Sequence, residues 1–203
     1  MSTPEELTRL AIHLYDAGAV KLGDIEAKTG SRTPIYFDLR LVVSHPTLML
    51  AVATHLQCLA SKIHHDLLCG VPYAALPFTA VMSVNSNTPM IMKRKEAKMY
   101  ASKKILEGVY QENAICLIVD DVISSGESLL ETVETLRAEK ITVKHCIIVL
   151  DREQGGAAAL KAIGVEVKAL FTMTDLIRIL RDAHRINDDT VEIISDYIKV
   201  NQY

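Results

Sequence analysis

The sequence predicts an α/β fold with a central, mainly parallel sheet flanked by helices, and three observations carry the prediction. Short apolar runs alternate with amphipathic stretches along the whole chain, the pattern of strands that pair in parallel and return through helices. The clearest run, Ile115 to Val119, is continuously apolar, as a strand covered on both faces requires. It meets two adjacent acids, Asp120 and Asp121, then a turn of small residues and a helix-like stretch from Leu129, the order of a strand–loop–helix unit.

Each element has a local reason. Ser2 with Glu5, or Thr3 with Glu6, can form a capping box, and Leu7, Leu10, Ala11 and Leu14 then share one helical face, with Gly18 closing the helix after Ala17. Residues 35–41 read as a strand after Pro34, and residues 46–61 as a helix with Leu48, Val52, Leu56 and Leu59 inward. Residues 66–71 form a short strand ending in a Gly-Val-Pro turn. Residues 74–85 then read as a helix, Pro77 falling within its first turn. Residues 90–93, 114–119, 143–150 and 166–170 complete the strand series. Helices are expected at 128–139, 157–163, 175–183 and 189–200.

Composition bounds the function. A chain of 203 residues, 49% hydrophobic and 23% charged, can bury a sizeable core as one domain. The net charge of −3 gives no general attraction to nucleic acid or membrane. Cys58, Cys69, Cys116 and Cys146 lie in apolar surroundings without a paired spacing, and read as buried thiols of a reducing compartment. No signal pattern or membrane-length apolar run is present, so a cytoplasmic location is expected. His64 and His65, beside Asp66, read as surface.

The chemistry is concentrated around residue 120. Loops at the carboxyl ends of parallel strands are where open α/β sheets bind ligands. Ser124, Ser125, Gly126, Glu127 and Ser128 form a small-residue turn into a helix, whose free N–H groups and positive dipole end favour a phosphate. Asp120 and Asp121 would repel phosphate oxygens, so they face sugar hydroxyls, a metal ion, or both. A phosphorylated sugar is the composite ligand. An acidic metal pocket and a plain helix cap are the competing readings.

Residues 93–104 hold six cations, Lys93, Arg94, Lys95, Lys98, Lys103 and Lys104, against the single acid Glu96. Burying unpaired charge is costly, so this run is expected to be solvent-exposed and mobile. A basic run is usually a solvated face. Shortly before a phosphate nest, it can instead close over a polyphosphate, stabilise a leaving group and exclude water.

At this point Leu117 to Ser128, reading LIVDDVISSGES, resembles the phosphoribosyl pyrophosphate signature of type I phosphoribosyltransferases. Residues 28–40, 69–77, 93–98 and 150–156 are similar to orotate phosphoribosyltransferases, in particular the domain fused within eukaryotic UMP synthase. The resemblance implies the type I phosphoribosyltransferase fold over residues 1–203, with an N-terminal hood at 1–40, a flexible catalytic loop at 93–110, and a segment at 189–203 like that leading to a decarboxylase. It implies that Asp120 and Asp121 contact the ribose hydroxyls and help stabilise a cationic ribosyl transition state. Ser124, Ser125, Gly126, Glu127 and Ser128 would take the 5-phosphate, Arg94 and Lys95 the pyrophosphate, and Lys98 would be the main catalytic cation. Lys28, Tyr36, Phe37 and Arg152 would surround the orotate, a flat anion suited to a guanidinium fork. One Mg²⁺, held mainly by the substrate and water, and a homodimer with shared active sites are also implied.

Departures from the family pattern are local. Met99, Tyr100 and Ala101 follow Lys98 where the family carries an acid, a ring and a glycine. Glu127 occupies the nest, and its side chain is expected to turn outward, leaving only its N–H to serve. Ala74 stands where the bacterial branch carries a lysine, which the eukaryotic branch also lacks. Transfer to another base and a non-catalytic phosphosugar sensor are the alternatives; residues 150–156 argue against the first, and Lys98 with the mildly acidic chain against the second.

Overall fold

The structure is a computed structural model that describes residues 2–26, 30, 32–94 and 105–203. The chain opens with helix α1 (Pro4–Asp16), whose N-cap is Thr3: its hydroxyl accepts the Glu6 N–H, and the Glu6 carboxylate accepts the Thr3 N–H. Of the two possible capping boxes this is the one formed. Gly18 takes a φ of 77° after the Ala17 cap, a conformation that costs glycine little.

A two-stranded antiparallel hood follows, β1 (Val20–Glu26) with β2 (Arg32–Phe37). The sequence reading missed β1, because only Val20 in it is buried and Gly23 interrupts it, so no apolar alternation marks it. It also placed the second strand late, at 35–41. Pro34 is tolerated inside β2 because the ladder changes register between Leu22 and Ile25, opposite it. Beyond Phe37 the chain turns into a 3₁₀ segment, Leu39–Ser44, rather than extending the strand.

Helix α2 (Pro46–Ala60) leads to β3 (Leu67–Gly70), then α3 (Ala75–Ser86), β4 (Met90–Lys93) and the short β5 (Leu106–Glu107), which the sequence did not signal. The second half alternates strictly: β6 (Ile115–Ile123), α4 (Glu127–Ala138), β7 (Thr142–Asp151), α5 (Gly156–Ala162), β8 (Glu166–Thr172), α6 (Met173–Asp182) and α7 (Asp188–Val200). The main sheet has the order β5-β4-β3-β6-β7-β8 and is parallel except for β5.

Alternate residues of the central strands feed opposite faces, as the strand period of two demands. Leu117, Val119, Ile147 and Val149 join a core with α1, α2, α3 and α6, which also roots the hood through Val20 and Ile35. Cys116, Ile118, Cys146 and Ile148 pack against α4 and α5 through Leu129, Val133 and Leu160. Among the described residues no helix is long and apolar enough to cross a membrane. Cys69, Cys116 and Cys146 are buried free thiols, and Cys58 is partly exposed.

Candidate active site

Strand order decides where a ligand can sit. From β3 the chain moves outward through β4 and β5, then returns to the other side of β3 and moves outward again through β6, β7 and β8. The order therefore reverses between β3 and β6, opening a crevice at their carboxyl ends. The β3 ladder stops at Gly70 opposite Val119, whereas β6 runs on through Asp120 to Ile123, held only by β7 on its other side. The two acids thus lie within the strand and not at its end, as the sequence reading had them. They stand at the step where the neighbouring strand has finished.

Asp120 is 5% exposed and Asp121 is half-buried. Asp120 Oδ1 accepts the Asp121 N–H at 2.8 Å, and Asp121 Oδ1 accepts the Val122 N–H at 2.8 Å. Burial, then the charge of Asp121, pushes the Asp120 carboxyl well above the usual carboxylate range. Burial also pushes Asp121 up, opposed by hydrogen bonding and by the nearby Arg40 guanidinium. A buried like-charged pair holds protons more tightly than separated acids, and hydroxyl donors or a cation would relieve it. Arg40 was inside a family-like stretch of sequence but was given no role. It forms an ion pair with Asp38 at 2.6 Å and donates to the Tyr36 hydroxyl at 3.1 Å, so it is held at the end of the hood within electrostatic reach of Asp121.

The turn after β6 leads into α4 through Gly126, which has a φ of 84°, and no side-chain oxygen caps the helix. The Ser125 hydroxyl lies 3.5 Å from the Glu127 N–H, at the outer limit of a hydrogen bond. An uncapped helix start with small neighbours is a ready anion site. Glu127 and Ser128 are exposed, and the Glu127 carboxylate makes no ion pair among the described residues.

A Cβ on Gly126 would lie 2.9 Å from Leu160 Cδ2 and 3.1 Å from Gly156 O. From the sequence Gly126 is one residue of the small-residue turn; in the structure its missing side chain admits the loop after β7. That loop is laced to the nest: the Arg152 N–H donates to Ile123 O at 3.0 Å and the Gly156 N–H to Ser124 O at 2.9 Å. The start of α4 and the Arg152 loop are therefore one packed unit. Gly156 makes this possible, and nothing in its local sequence distinguishes a packing glycine from a turn glycine.

Arg152 follows the last residue of β7. Its neighbour Asp151 is engaged elsewhere. Asp151 Oδ1 accepts the Glu153 N–H at 2.8 Å, and the Glu153 carboxylate accepts the Thr174 N–H at 2.7 Å near the start of α6. Arg152 Nε and Nη2 are buried without a hydrogen-bond partner, as is Gln154 Oε1. Buried donors without partners are rare, and such a cluster beside a crevice points to a ligand.

Tyr36 and Phe37 end β2 half-buried, with Phe37 packed against the core and Tyr36 joined to Arg40. Arg94 lies just after β4, its N–H donating to Ile105 O and its guanidinium paired with Glu107 at 2.7 Å. Lys93 departs from the expected exposed basic run. It is 6% exposed and its ammonium meets Glu131 Oε1 on α4 at 2.8 Å, because the run begins inside β4 and a single partner there removes the cost of burial. Lys28, Lys95, Lys98, Met99, Tyr100 and Ala101 lie outside the described residues. Among the described residues no group of three or more His, Cys, Asp or Glu could hold a metal ion by itself.

A mainly parallel sheet whose order reverses over an acid pair, followed by an uncapped helix start, defines an α/β protein with a ligand crevice at its strand ends. Residues 44–165 match the model of the phosphoribosyl transferase domain, and the chain belongs to that family. It is 36% identical to the orotate phosphoribosyltransferase of Chlamydia caviae, over 95% of this chain and 96% of that protein. It is 38% identical to bovine uridine 5'-monophosphate synthase over 97% of its length but spans only 42% of that longer protein. Among solved structures, the UMP synthase of Leishmania donovani superposes with a TM-score of 0.86 at 30% identity, covering 95% of this chain and 42% of that one. The orotate phosphoribosyltransferase of Aeropyrum pernix gives 0.76 at 25% identity, covering 88% and 99%.

Proposed function

We propose that this chain transfers the phosphoribosyl group of phosphoribosyl pyrophosphate to N1 of orotate, giving orotidine 5'-monophosphate and pyrophosphate in pyrimidine biosynthesis. The observation that carries the reading is that Asp120, Asp121, the open start of α4 and Arg152 share the carboxyl ends of two adjacent strands where the strand order reverses. In the reaction the bond from carbon 1 to the pyrophosphate oxygen breaks, the oxygen keeping the electron pair, and a bond from orotate N1 forms as its proton leaves to solvent.

The backbone of Ser124, Ser125, Gly126, Glu127 and Ser128 holds the 5-phosphate, and Asp120 and Asp121 take the ribose hydroxyls. Their negative charge then favours the cationic ribosyl transition state. Arg94 exchanges Glu107 for the pyrophosphate, with Lys95 beside it, while Lys98 neutralises the charge that develops there. Lys28, Tyr36, Phe37 and Arg152 bind the planar base. Mg²⁺ would be held mainly by the substrate's phosphates and by water, the usual setting of a hard cation that keeps much of its water shell. When bound, it supplies charge neutralisation on the pyrophosphate.

The same reading makes the protein a cytoplasmic homodimer with shared active sites and residues 1–203 one transferase domain, with its hood at 1–40 and its loop at 93–110. A decarboxylase, fused or separate, would then consume the product, as the greater length of the UMP synthase relatives suggests. The test is the loss of orotate absorbance with phosphoribosyl pyrophosphate and Mg²⁺, beside parallel runs with adenine and hypoxanthine. Lys98→Ala should lower kcat by about 10²-fold or more with the melting temperature unchanged. Consumption of a purine and not orotate would overturn the base assignment, and near-normal kcat in the variant would remove Lys98 from the chemistry.

A further inference from the structure

Arg152 is a cation that the surrounding protein leaves unneutralised. Both flanking acids are engaged elsewhere, Asp151 with the Glu153 N–H and Glu153 with the Thr174 N–H, and Arg152 makes no ion pair among the described residues. With Nε and Nη2 buried and unpartnered, hydrogen bonds do not set the plane of its guanidinium. Packing must do so. The group facing it is the Tyr197 ring, whose centroid lies 6.0 Å from Arg152 Cζ.

Tyr197 is carried on α7, and α7 is fastened to the loop that bears Arg152. Gln154 Nε2 donates to Asn201 O at 2.9 Å, the Tyr203 N–H to Gln154 O at 3.0 Å, and Gln202 Nε2 to Glu153 O at 2.9 Å. Ile194, three residues before Tyr197, is fully buried and roots the helix. The same helix packs on β2, the strand that ends in Tyr36 and Phe37. One element thus joins the two halves of the base subsite, and Tyr197 is where it meets the cation.

We propose that Tyr197 is a positioning residue for the base substrate: its ring holds the Arg152 guanidinium in the plane that a flat oxyanion needs. The inference rests on the reading of Arg152 as a base-facing cation. A ring face attracts a guanidinium electrostatically and restricts its rotamers, so fewer degrees of freedom are lost when the anion binds.

The experiment measures kcat/KM for orotate and for phosphoribosyl pyrophosphate in Tyr197→Leu, Tyr197→Met, Tyr197→Phe, Arg152→Gln and the Tyr197→Leu/Arg152→Gln double variant, with melting temperatures alongside. Tyr197→Leu and Tyr197→Met should lower kcat/KM for orotate by about threefold to thirtyfold, the range of a partly desolvated cation–ring contact. The value for phosphoribosyl pyrophosphate should stay within about twofold, and Tyr197→Phe should restore the wild-type value, because the ring and not the hydroxyl acts. In the Arg152→Gln background Tyr197→Leu should add nothing further, since a positioning residue has nothing left to position. Equal losses for both substrates, or additive losses in the double variant, would assign Tyr197 to general stability and overturn the proposal. A large orotate defect in Arg152→Gln with none in Tyr197→Leu or Tyr197→Met would overturn it while sparing Arg152. No defect in Arg152→Gln would overturn the reading of Arg152, and the proposal with it.

Discussion

Replacing Gly156 with alanine probes the join between the nest and the Arg152 loop. Its new Cβ would come within 2.6 Å of Ile123 Cγ1 and 2.8 Å of Gly126 N, and closer still to Ser124 O. Two of these three neighbours are backbone atoms, so the collision cannot be relieved by a side-chain rotation. The loop must move, and the Gly156 N–H bond to Ser124 O is then lost. Overpacking of about 1–3 kcal/mol with a lost hydrogen bond of about 1 kcal/mol gives a destabilisation of about 2–4 kcal/mol. For a chain of this size that corresponds to a fall in melting temperature of about 4–16 °C. Because the collision lies between the two subsites, kcat/KM should fall for both substrates. Gly164→Ala is the control. Gly164 has a φ of 77° with nothing within 4 Å of a new Cβ, so it should lose stability through backbone strain alone and keep its kinetics. The assay pairs thermal melts with steady-state rates. A Gly156→Ala protein melting within about 1 °C of wild type, with unaltered kinetics, would refute the packed join.

Two further outcomes are expected. A folded carboxyl raised above its unfolded value near 3.9 gives a native state that loses stability as pH climbs through the folded value. Asp120→Asn should therefore melt higher than wild type at pH 8, the gap closing towards pH 4, while activity falls; a lower melting temperature at pH 8 would contradict burial as the cause. The Lys93–Glu131 pair is lopsided, with side-chain exposures of 6% and 63%. Glu131→Ala leaves the buried ammonium without its hydrogen-bond partner and should cost about 1–3 kcal/mol, whereas Lys93→Met leaves only an exposed carboxylate and should cost less than about 1 kcal/mol. Denaturant titration of both variants checks this, and the reverse order would place the stabilising partner elsewhere.

What was legible in the sequence was local or periodic. Ile115 to Val119 read as a strand covered on both faces because the run is short, unbroken and followed at once by acids and a small-residue turn. A capping box at Ser2 or Thr3 was legible, though not which of the two forms, and Asp120 to Ser128 announced an acid pair ahead of a helix start, since those chemistries are written over a few consecutive residues. Arg152 stood out through the resemblance of residues 150–156 and its place at the end of an apolar strand. The hood strand β1 was not, because an exposed two-stranded ribbon requires little burial and leaves little pattern.

Other features depend on residues far apart in the chain, and only the folded arrangement decides them. The acids stand at a crevice because β3 ends opposite Val119 while β6 continues, a difference in the lengths of two separate strands. Gly126 and Gly156 are paired by a contact across thirty residues of sequence that neither local turn reveals. Lys93 is a buried strut because Glu131 reaches it from α4. Tyr197 meets Arg152 because α7 returns to the carboxyl end of β7. Residue order made legible the elements that carry their own apolar period or cap, because local propensity and burial period act within one element, and it left β1 and β5 unmarked. Tertiary packing determined which of those chemistries share a site, because only close-packed contacts between elements set distances of a few ångströms.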